Sequence, residues 1–371
     1  MKKFSRYLSK QVLSDLKEKM VFIAGPRQVG KTTMAQALLK DPKGYLNWDI
    51  RKHREIILRE EWPDVSLLLL DEIHKLRKWR GLLKGLFDQY RKTMQIMVTG
   101  SARLDYYRFG GDSLQGRYHL LHLYPLSVAE LGLSSSGLSD LLCLGGFPEP
   151  YYRGSKAYAR RWSQEYRSRL LEEDLRGLES IHDIGSLERL MIRLPDLVGS
   201  PISLNALRED LQVNHRTVAR WMDILERLYA LFRLSPFGAP KIRAVKKEQK
   251  HYHLDWTLSP KDAQRFENLV AVHLKKWVDF ERDAHGRDIE LRYFRDVEGR
   301  EVDFVIVENR FPLRFIECKW GDDGVSQVMR FLRERFSQAD FWQISAVGKK
   351  DFKTTDGIRV CPAWVFLRDL I

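Results

Sequence analysis

Eight residues near the N-terminus constrain the fold more than any other part of this 371-residue chain. They match the phosphate-loop pattern GxxxxGK(S/T) and read Gly25-Pro26-Arg27-Gln28-Val29-Gly30-Lys31-Thr32. The glycines let backbone N–H groups curl around phosphates, and the helix that follows points its positive end at them. Lys31 would meet the β- and γ-phosphates, the Thr32 hydroxyl would hold Mg²⁺, and Thr33 completes the predicted nucleotide-binding set. The sequence therefore predicts that this loop binds ATP and Mg²⁺.

Two apolar segments further along end in polar residues that suit hydrolysis of a bound nucleotide. These segments are residues 65–70 and 95–99. Asp71, after the first segment, would enter the metal shell, and Glu72 would polarise the attacking water. At the end of the second segment, Thr99 or Ser101 would sense the γ-phosphate. Because such segments alternate with helical ones, we predict an α/β fold with a parallel sheet of the P-loop NTPase type.

The charge balance favours a polyanionic partner. Lysine and arginine outnumber aspartate and glutamate by 63 to 50, which gives a net charge of +13. Nucleic acid is the first expectation and an anionic membrane the second. The three cysteines are scattered, the basic N-terminus precedes no apolar stretch, and the longest apolar run is too short to cross a bilayer. We therefore expect a cytoplasmic protein without a membrane partner.

The middle of the chain has the pattern of a helix-turn-helix. Residues 203–211 would form the first helix, Asn214 would cap the second, and residues 225–234 would supply a third helix and the first strand of a wing. Residues 214–219 and 222–231 read as separate helical segments. Four polar residues would face outward, where a reader of the DNA major groove needs hydrogen-bond donors. They are His215, Arg216, Thr217 and Arg220. A three-helix bundle without any DNA role fits the same pattern.

A second group of charged residues lies near the C-terminus. Residues 301–307 predict a strand, Asn309-Arg310 a turn, and residues 313–316 a strand that continues into Glu317-Cys318-Lys319. Side chains alternate along a strand, so Glu317 and Lys319 share a face, and a hairpin would bring Asp303 close to them. Asp303 and Glu317 would hold Mg²⁺, while Lys319 would orient water or neutralise charge during phosphodiester cleavage. Glu267, on a predicted helix over residues 261–278, would add a ligand. The alternative is a hairpin whose charges are solvated or paired with each other.

Several motifs resemble, in order, those of prokaryotic AAA-type ATPases that carry a C-terminal domain of unknown function. The motifs are FIAGPRQVGKTT at 22–33, LLDEIH at 69–74, VTGSA at 98–102, LQGR at 114–117 and GGFPEP at 145–150. The resemblance spans nearly the whole chain and implies an AAA-type core that assembles into rings or smaller oligomers. It also makes Arg117 a candidate arginine finger that reaches a neighbour's ATP. A surface arginine in a Gly-bounded turn is the alternative reading.

The arrangement Glu267…Asp303…Glu317-x-Lys319 resembles the acidic-acidic-lysine signature of the restriction-endonuclease-like fold. Domains of that kind either cleave DNA or keep these residues and bind it. We predict an AAA-type core at residues 1–135, a helical lid with a winged-helix-like domain at 136–240, and a nuclease-like domain at 241–371. The Ser/Gly-rich residues 133–139 are expected to form a loop.

The leading hypothesis is an ATP hydrolase that acts on or with duplex or branched DNA as a homo-oligomer. The alternative is a nucleotide-gated switch whose C-terminal domain recruits a protein. A small-molecule kinase would share the phosphate loop. However, the Asp71-Glu72 pair suits attack by water, and no sequence feature indicates a separate pocket for a phosphate acceptor.

Overall fold

Five parallel strands build the sheet that carries the phosphate loop. The structure is a computed structural model, and it describes residues 6–100, 114–170, 183–238 and 248–371. The strands are β1 (Met20–Ala24), β2 (Tyr45–Asn47), β3 (Leu67–Asp71), β4 (Gln95–Thr99) and β5 (Tyr118–His122). Their order across the sheet is β2-β3-β4-β1-β5. Every neighbouring pair is parallel, so the predicted α/β fold with a parallel sheet is confirmed.

The chain divides into two compact units, of which the first contains this sheet. That unit comprises the residues up to Tyr124 together with Asp283–His285. Its helices are α1 (Ser9–Asp15), α2 (Lys31–Leu38), α3 (Arg51–Arg59) and α4 (Trp79–Tyr90). Leu68 and Leu70 point from one face of β3 into a core that also contains Leu83 and Phe87 of α4. This packing fixes β3 in the sheet, with the polar residue Asp71 at its carboxyl end.

The second unit begins with helices. It comprises Pro125–Arg282 and Gly286–Ile371. Its helices are α5 (Val128–Leu131), α6 (Ser135–Leu144), α7 (Pro148–Arg153), α8 (Lys156–Arg169), α9 (Ile184–Arg193), α10 (Leu204–Leu211), α11 (His215–Arg227), α12 (Asp262–His285), α13 (Gln327–Arg335) and α14 (Ala363–Leu367). Helix α12 extends three residues beyond this unit. Within the described ranges, no helix combines the length and the apolar character needed to span a bilayer.

Two helices differ from the sequence-based expectation. Residues 133–139 were predicted to be a loop, but α6 begins at Ser135. Leu138, Leu141 and Leu142 are buried at helical spacing, so packing offsets the poor helix propensity of serine and glycine. Residues 214–219 and 222–231 do not form two segments, because α11 is continuous. Its apolar stripe runs without a helix-breaking residue through the stretch where the break was predicted.

A two-stranded sheet follows α11. Strand β6 (Leu231–Leu234) pairs antiparallel with β7 (Lys250–His253), and Leu234 lies opposite Lys250. The predicted third helix within residues 225–234 is wrong, because α11 continues to Arg227 and β6 begins at Leu231. The predicted first wing strand is present as β6, which forms a hairpin with β7. Because β7 lies beyond residue 240 and pairs with β6 before it, the hairpin crosses the predicted domain boundary. The three-domain division itself stays a prediction.

A mixed six-stranded sheet forms the C-terminal part. Its strands are β8 (Ile289–Arg295), β9 (Glu301–Glu308), β10 (Phe311–Lys319), β11 (Asp340–Ser345), β12 (Phe352–Lys353) and β13 (Arg359–Pro362). Strands β8, β9 and β10 are antiparallel, whereas β11 is parallel to β10 and β13 is parallel to β11. The predicted turn at Asn309-Arg310 is confirmed, with φ angles of 49° and 72°. This tight hairpin sets β9 and β10, and the charged residues on them, side by side.

Candidate functional site

The phosphate loop connects β1 to α2, and its two motif glycines meet backbone requirements. Gly25 has a φ of 138°, and a Cβ there would lie 2.2 Å from the carbonyl oxygen of Leu123. Gly30 adopts the left-handed conformation, with a φ of 96°, and caps the N-terminus of α2. Side chains at these positions would distort the loop. The loop conformation therefore brings the positive end of α2 to the place predicted for the phosphates.

Lys31 and Arg6 hold the loop through its carbonyl groups. Lys31 Nζ donates to the carbonyl oxygens of Gly25 at 2.9 Å and Pro26 at 2.7 Å. Arg6 Nη1 donates to the carbonyl oxygen of Val29 at 2.7 Å, and its guanidinium is buried. The Lys31 ammonium thus already faces the loop interior, where an incoming phosphate would meet it. Arg6 was missed by the sequence analysis, because nothing in the N-terminal segment marks it as a partner of the loop.

The carboxylate of Asp71 is the centre of a hydrogen-bond network at the ends of three adjacent strands. Its Oδ2 accepts hydrogen bonds from Thr32 Oγ1 at 3.0 Å, Asn47 Nδ2 at 3.1 Å and the Tyr45 hydroxyl at 3.1 Å. Its Oδ1 accepts one from Thr99 Oγ1 at 2.6 Å. Asp71 is only 4% exposed, so these donors stabilise a buried charge. The structure therefore brings Thr32, Asp71 and Thr99 together, while Ser101 lies outside the described residues.

Tyr45 and Asn47 were not predicted as part of this site. They stand two positions apart on β2 and so share one face of the strand. Strand β2 reaches Asp71 because it lies next to β3 in the sheet, with Asn47 opposite Asp71. No phosphate-loop motif contains these positions, and only the strand order reveals them.

Glu72 has an acceptor oxygen that is not engaged by a hydrogen bond. Its Oε2 is buried without such a partner and lies 3.6 Å from His74 Nε2 and 3.5 Å from Lys75 Nζ. Burial raises the pKa of Glu72, and the nearby Lys75 opposes that rise. Lys75 is itself held by Asp49, at 2.5 Å. A carboxylate in this condition is a suitable acceptor for a proton from water.

Arg117 forms a two-point ion pair inside the chain. Its Nε and Nη2 donate to the two carboxylate oxygens of Asp88 on α4, at 2.9 Å and 3.0 Å. The Arg117 guanidinium lowers the pKa of Asp88. The structure therefore gives Arg117 a partner in its own chain, and its action on a neighbouring subunit stays a prediction.

The GGFPEP motif contributes to packing. A Cβ on Gly146 would lie 2.4 Å from the ring of Trp256. Phe147 is fully buried, with its ring centroid 4.8 Å from Trp162 and 5.0 Å from Tyr166. This motif shapes the core of the second unit.

Helix α11 begins as predicted. Asn214 Oδ1 accepts hydrogen bonds from the backbone N–H groups of Arg216 at 2.7 Å and Thr217 at 3.4 Å, which caps the helix. The predicted apolar stripe is buried and consists of Val218, Trp221, Met222 and Leu225. His215, Arg216 and Arg220 are exposed, and Thr217 is half-buried. The first turns of α11 thus present basic and polar groups to solvent.

Three of the four charged residues predicted near the C-terminus gather on β9 and β10. Lys319 Nζ donates to Glu317 Oε1 at 2.8 Å. Asp303 Oδ2 accepts the backbone N–H of Cys318 at 2.8 Å, so its carboxylate lies beside the Glu317–Lys319 stretch. Glu317 is 8% exposed, and its Oε2 is buried without a hydrogen-bond partner. A buried carboxylate oxygen in this condition is suited to bind a cation.

Glu267 of α12 belongs to the same group of carboxylates but has two partners of its own from β7. Its Oε1 accepts a hydrogen bond from the Tyr252 hydroxyl at 2.7 Å. Lys250 Nζ lies 3.8 Å from that oxygen and 2.5 Å from Glu301 Oε1. Sequence reasoning missed Lys250 and Tyr252, because the hairpin that brings β7 here has no local sequence signal. It also did not single out Glu301, which is the first residue of the predicted strand 301–307.

The carboxylates of this group raise one another's pKa values. Burial, followed by repulsion from Asp303, raises the pKa of Glu267 to about 8 and that of Glu317 to about 7. Burial also raises the pKa of Asp303. Such a group favours a positive charge beside it. In the described residues, no three His, Cys, Asp or Glu side chains are arranged to hold a metal ion together. Mg²⁺ commonly uses only one or two carboxylates and keeps several waters, a requirement that Asp303 and Glu317 fit.

Comparison with protein families divides the chain into three matched parts. Residues 17–132 match the model of an AAA domain, residues 135–261 match a domain of unknown function (DUF8612), and residues 264–366 match another domain of unknown function (DUF4143). The first match confirms the AAA-type ATPase resemblance for the part of the chain that carries the phosphate loop.

The chain is also similar in sequence to uncharacterized proteins of three organisms. Uncharacterized proteins of Mycobacterium bovis and Mycobacterium tuberculosis are each 26% identical over 84% of this chain and 73% of their own length. An uncharacterized protein of Methanocaldococcus jannaschii is 24% identical over 66% of this chain and 62% of its own length.

Three solved structures also align with the chain. A RuvB variant from Thermotoga maritima has a TM-score of 0.27 and 19% identity, covering 61% of this chain and 88% of its own. A STAND ATPase with a tetratricopeptide repeat sensor, from Pyrococcus horikoshii, has a TM-score of 0.26 and 12% identity. The alignment covers 77% of this chain and 48% of that protein. The DNA clamp loader delta protein of Bacillus subtilis has a TM-score of 0.26 and 9% identity. The alignment covers 59% of this chain and 88% of that protein.

Proposed function

We propose that this protein is an ATP hydrolase that acts on or with DNA, and that its C-terminal domain binds or cleaves DNA. The observation that carries the ATPase part is the position of Asp71, whose carboxylate accepts hydrogen bonds from Thr32 of the phosphate loop and from Thr99 of the next strand. The match of residues 17–132 to an AAA domain supports the same conclusion.

In this proposal each ATP-site residue has one task. Backbone N–H groups of residues 25–32 and the Lys31 ammonium bind the phosphates. Thr32 and Asp71 would hold Mg²⁺, which their hard oxygen donors fit and which neutralises charge that develops on the phosphates. Glu72 accepts the proton of the attacking water through the oxygen that lacks a hydrogen bond. Thr99 keeps Asp71 oriented.

In the C-terminal domain, Asp303 and Glu317 would hold Mg²⁺ and Lys319 would neutralise charge at the scissile phosphate. The unpartnered Glu317 Oε2 and the nearby Asp303 carboxylate support this assignment. Glu267 was predicted to add a ligand, but Tyr252 occupies its Oε1. We therefore leave Glu267 outside the ligand set, with the ion held by Asp303 and Glu317.

DNA contact is assigned to the first turns of α11. Arg216 and Arg220 would contact phosphates or base edges, together with His215 and Thr217. Their exposure and the net charge of +13 support this assignment. We also propose that the protein works as a homo-oligomer in which Arg117 leaves Asp88 and reaches the ATP of a neighbour.

A nucleotide-gated switch that recruits a protein is the second candidate function. The observation that favours it is the pairing of Glu267 with Lys250 and Tyr252, which compensates part of the acidic group within the chain. In that case the C-terminal residues would serve stability, and ATP would set the oligomeric state.

Steady-state ATP turnover, measured alone and with duplex or branched DNA, separates the two functions. Lys31→Ala and Glu72→Gln serve as controls. Turnover that DNA stimulates, and that both variants lose, supports a DNA-coupled ATPase. Turnover that ignores DNA, in a protein that does not bind DNA at low salt, would overturn the DNA part and favour the switch.

Cleavage needs a separate assay. The expected result is Mg²⁺-dependent nicking or cutting of DNA that Asp303→Asn and Lys319→Ala each abolish. Binding of DNA without cleavage, unchanged in both variants, would restrict the C-terminal domain to a binding role.

A further inference from the structure

Lys250 is a buried lysine beside the acidic group, which consists of the carboxylates of Glu267, Glu301, Asp303 and Glu317. It lies on β7, whereas the carboxylates lie on α12, β9 and β10. Its side chain is 1% exposed, and its ammonium lies 2.5 Å from Glu301 Oε1 and 3.8 Å from Glu267 Oε1. The Tyr293 ring covers it, with the centroid 5.3 Å from Nζ. A lysine buried this deeply needs compensating negative charge, and these carboxylates supply it.

The two halves of the acidic group therefore differ in how far positively charged side chains compensate them. Glu267 and Glu301 are compensated by Lys250, and Tyr252 donates a further hydrogen bond to Glu267. On the other half, Lys319 engages only one oxygen of Glu317, and the second oxygen is buried without a hydrogen-bond partner. Positive charge is thus already present beside Glu267 and Glu301, while the half formed by Asp303 and Glu317 retains an open acceptor.

We propose that the Lys250 ammonium is a built-in cation that occupies the place of a divalent ion beside Glu267 and Glu301. An ammonium attracts the same carboxylate oxygens that a metal ion would bind, and it cannot leave the site. The site consequently takes a divalent ion only on the half formed by Asp303 and Glu317. This last step rests on the proposed function of the C-terminal domain, whereas the role of Lys250 does not.

The consequence is that removal of Lys250 creates a new ion site. In Lys250→Met, Glu267 and Glu301 would lose the ammonium that they share, while Glu301 keeps Arg295 at 3.4 Å and Glu267 keeps the Tyr252 hydroxyl. A divalent ion would then be drawn to the place of that ammonium between the two carboxylates. The variant should lose stability in the absence of metal and regain it when metal is added, because an ion that binds only the folded state stabilises it.

The test uses the full chain without nucleotide and Mn²⁺ as the probe. All variants are made in the Asp71→Asn background, which removes the ion site of the phosphate loop. Mn²⁺ stoichiometry is measured by electron paramagnetic resonance of the free ion, and the Tm is measured in EDTA and in Mn²⁺. Lys250→Met is expected to bind one more Mn²⁺ than its parent and to regain with Mn²⁺ about half or more of the decrease in Tm seen in EDTA. Lys250→Arg, which keeps the charge, is expected to bind no extra ion.

A matched control comes from another buried lysine. Lys276 is also 1% exposed and pairs with Glu130. Lys276→Met should lower the Tm because Glu130 then loses the ammonium that pairs with it, but Mn²⁺ should not restore it. Recovery limited to Lys250→Met supports the proposal. An unchanged Mn²⁺ stoichiometry and no recovery in Lys250→Met would overturn it.

A second variant decides the matter if Lys250→Met does not fold. In Glu267→Gln, Lys250 remains and only a carboxylate assigned to Lys250 is removed, so Mn²⁺ affinity should stay within about threefold of the parent. Loss of the Mn²⁺ ion in Glu267→Gln would show that Glu267 is a ligand and would overturn the proposal.

Glu317→Gln separates this proposal from the proposed function. If the parent binds one Mn²⁺ that Glu317→Gln loses, while Mn²⁺ does not rescue Lys250→Met, the role of Lys250 fails and the metal site stands. If the parent binds no Mn²⁺ and Lys250→Met binds one that restores its Tm, the role of Lys250 stands and metal-dependent cleavage fails.

Discussion

The hydroxyl of Thr99, at the end of β4, donates a hydrogen bond of 2.6 Å to Oδ1 of Asp71 at the end of β3. Thr99 is fully buried, and its hydroxyl is the donor that the structure gives to this oxygen. The two strands are parallel neighbours with Asp71 opposite Thr99 in the register, so the contact follows from the sheet itself.

Thr99→Val tests whether this contact orients Asp71. Valine keeps the shape of the side chain but removes the donor, and a hydrogen bond to a charged group contributes about 1.5–3 kcal/mol. We expect ATP turnover to fall by roughly tenfold or more, with a weaker dependence on Mg²⁺. Thr99→Ser, which keeps the hydroxyl, should retain most of the turnover. Equal losses in the two variants would mean that packing, and not the hydrogen bond, is what matters at this position.

The role of α11 can be tested through the salt dependence of DNA binding. Arg216→Ala combined with Arg220→Ala should weaken binding and reduce the slope of log K against log salt by about one for each phosphate that the variant no longer neutralises. Fluorescence anisotropy of labelled duplex DNA at several salt concentrations measures both quantities. Arg208→Ala, at a half-buried arginine of α10 that pairs with Glu209, is the control. An unchanged slope in the double variant would place the DNA-binding surface elsewhere on the protein.

The buried histidines of the second unit should make stability fall as the pH falls below 6.5, whereas the raised pKa values of Glu267 and Glu317 act in the opposite direction. Burial lowers the pKa of His253 to about 3, far below the ordinary value of 6.5. The unfolded chain therefore binds this proton first as the pH falls. The contribution of His253 to stability is fully present above about pH 6.5, and it decreases by about 1.4 kcal/mol per pH unit as the pH falls toward 3. His251 and His273, whose pKa values burial lowers to about 4, add to the same trend.

The variant His253→Gln isolates this contribution. Between pH 6 and pH 5, the slope of the free energy of unfolding against pH should decrease by about 1.4 kcal/mol per pH unit, which corresponds to one proton. The free energy is obtained from urea denaturation. His215→Gln, at an exposed position on α11, is the matched control. If both variants leave the slope unchanged, His253 is not neutral in the folded protein at these pH values.

The geometry of the candidate ATP site was largely predictable from the sequence because its parts are local. The phosphate loop and the Asp71-Glu72 pair each lie at the end of an apolar strand, and parallel strands bring such ends to one edge of a sheet. Tyr45 and Asn47 were not predictable, because β2 has only three residues and its place beside β3 depends on the strand order. Their hydrogen bonds to Asp71 therefore come from tertiary structure.

The C-terminal site was predictable in part for the same reason. Asp303, Glu317 and Lys319 meet across one hairpin whose turn is marked by Asn309-Arg310. Lys250 comes from a different hairpin, and in the sequence it stands in a run of lysines that reads as solvated. Its burial depends on the packing of β7 against elements far away in the chain, which no local pattern encodes.

Arg117 offers a test of action between subunits. Its ion pair with Asp88 lies at the surface, so Arg117→Ala should change the Tm little. If Arg117 is an arginine finger, the same variant should lose ATP turnover by roughly 10³-fold or more.

Lys31→Ala should also be inactive, because it cannot engage the phosphates. In mixed oligomers of the two variants, however, a Lys31→Ala subunit can supply its intact Arg117 to the ATP site of an Arg117→Ala neighbour. Mixing should then restore part of the turnover, with a dependence on total concentration that reports assembly. Recovery would establish action in trans, whereas a mixture as inactive as its components, in a protein that light scattering shows to be oligomeric, would leave Arg117 as the surface partner of Asp88.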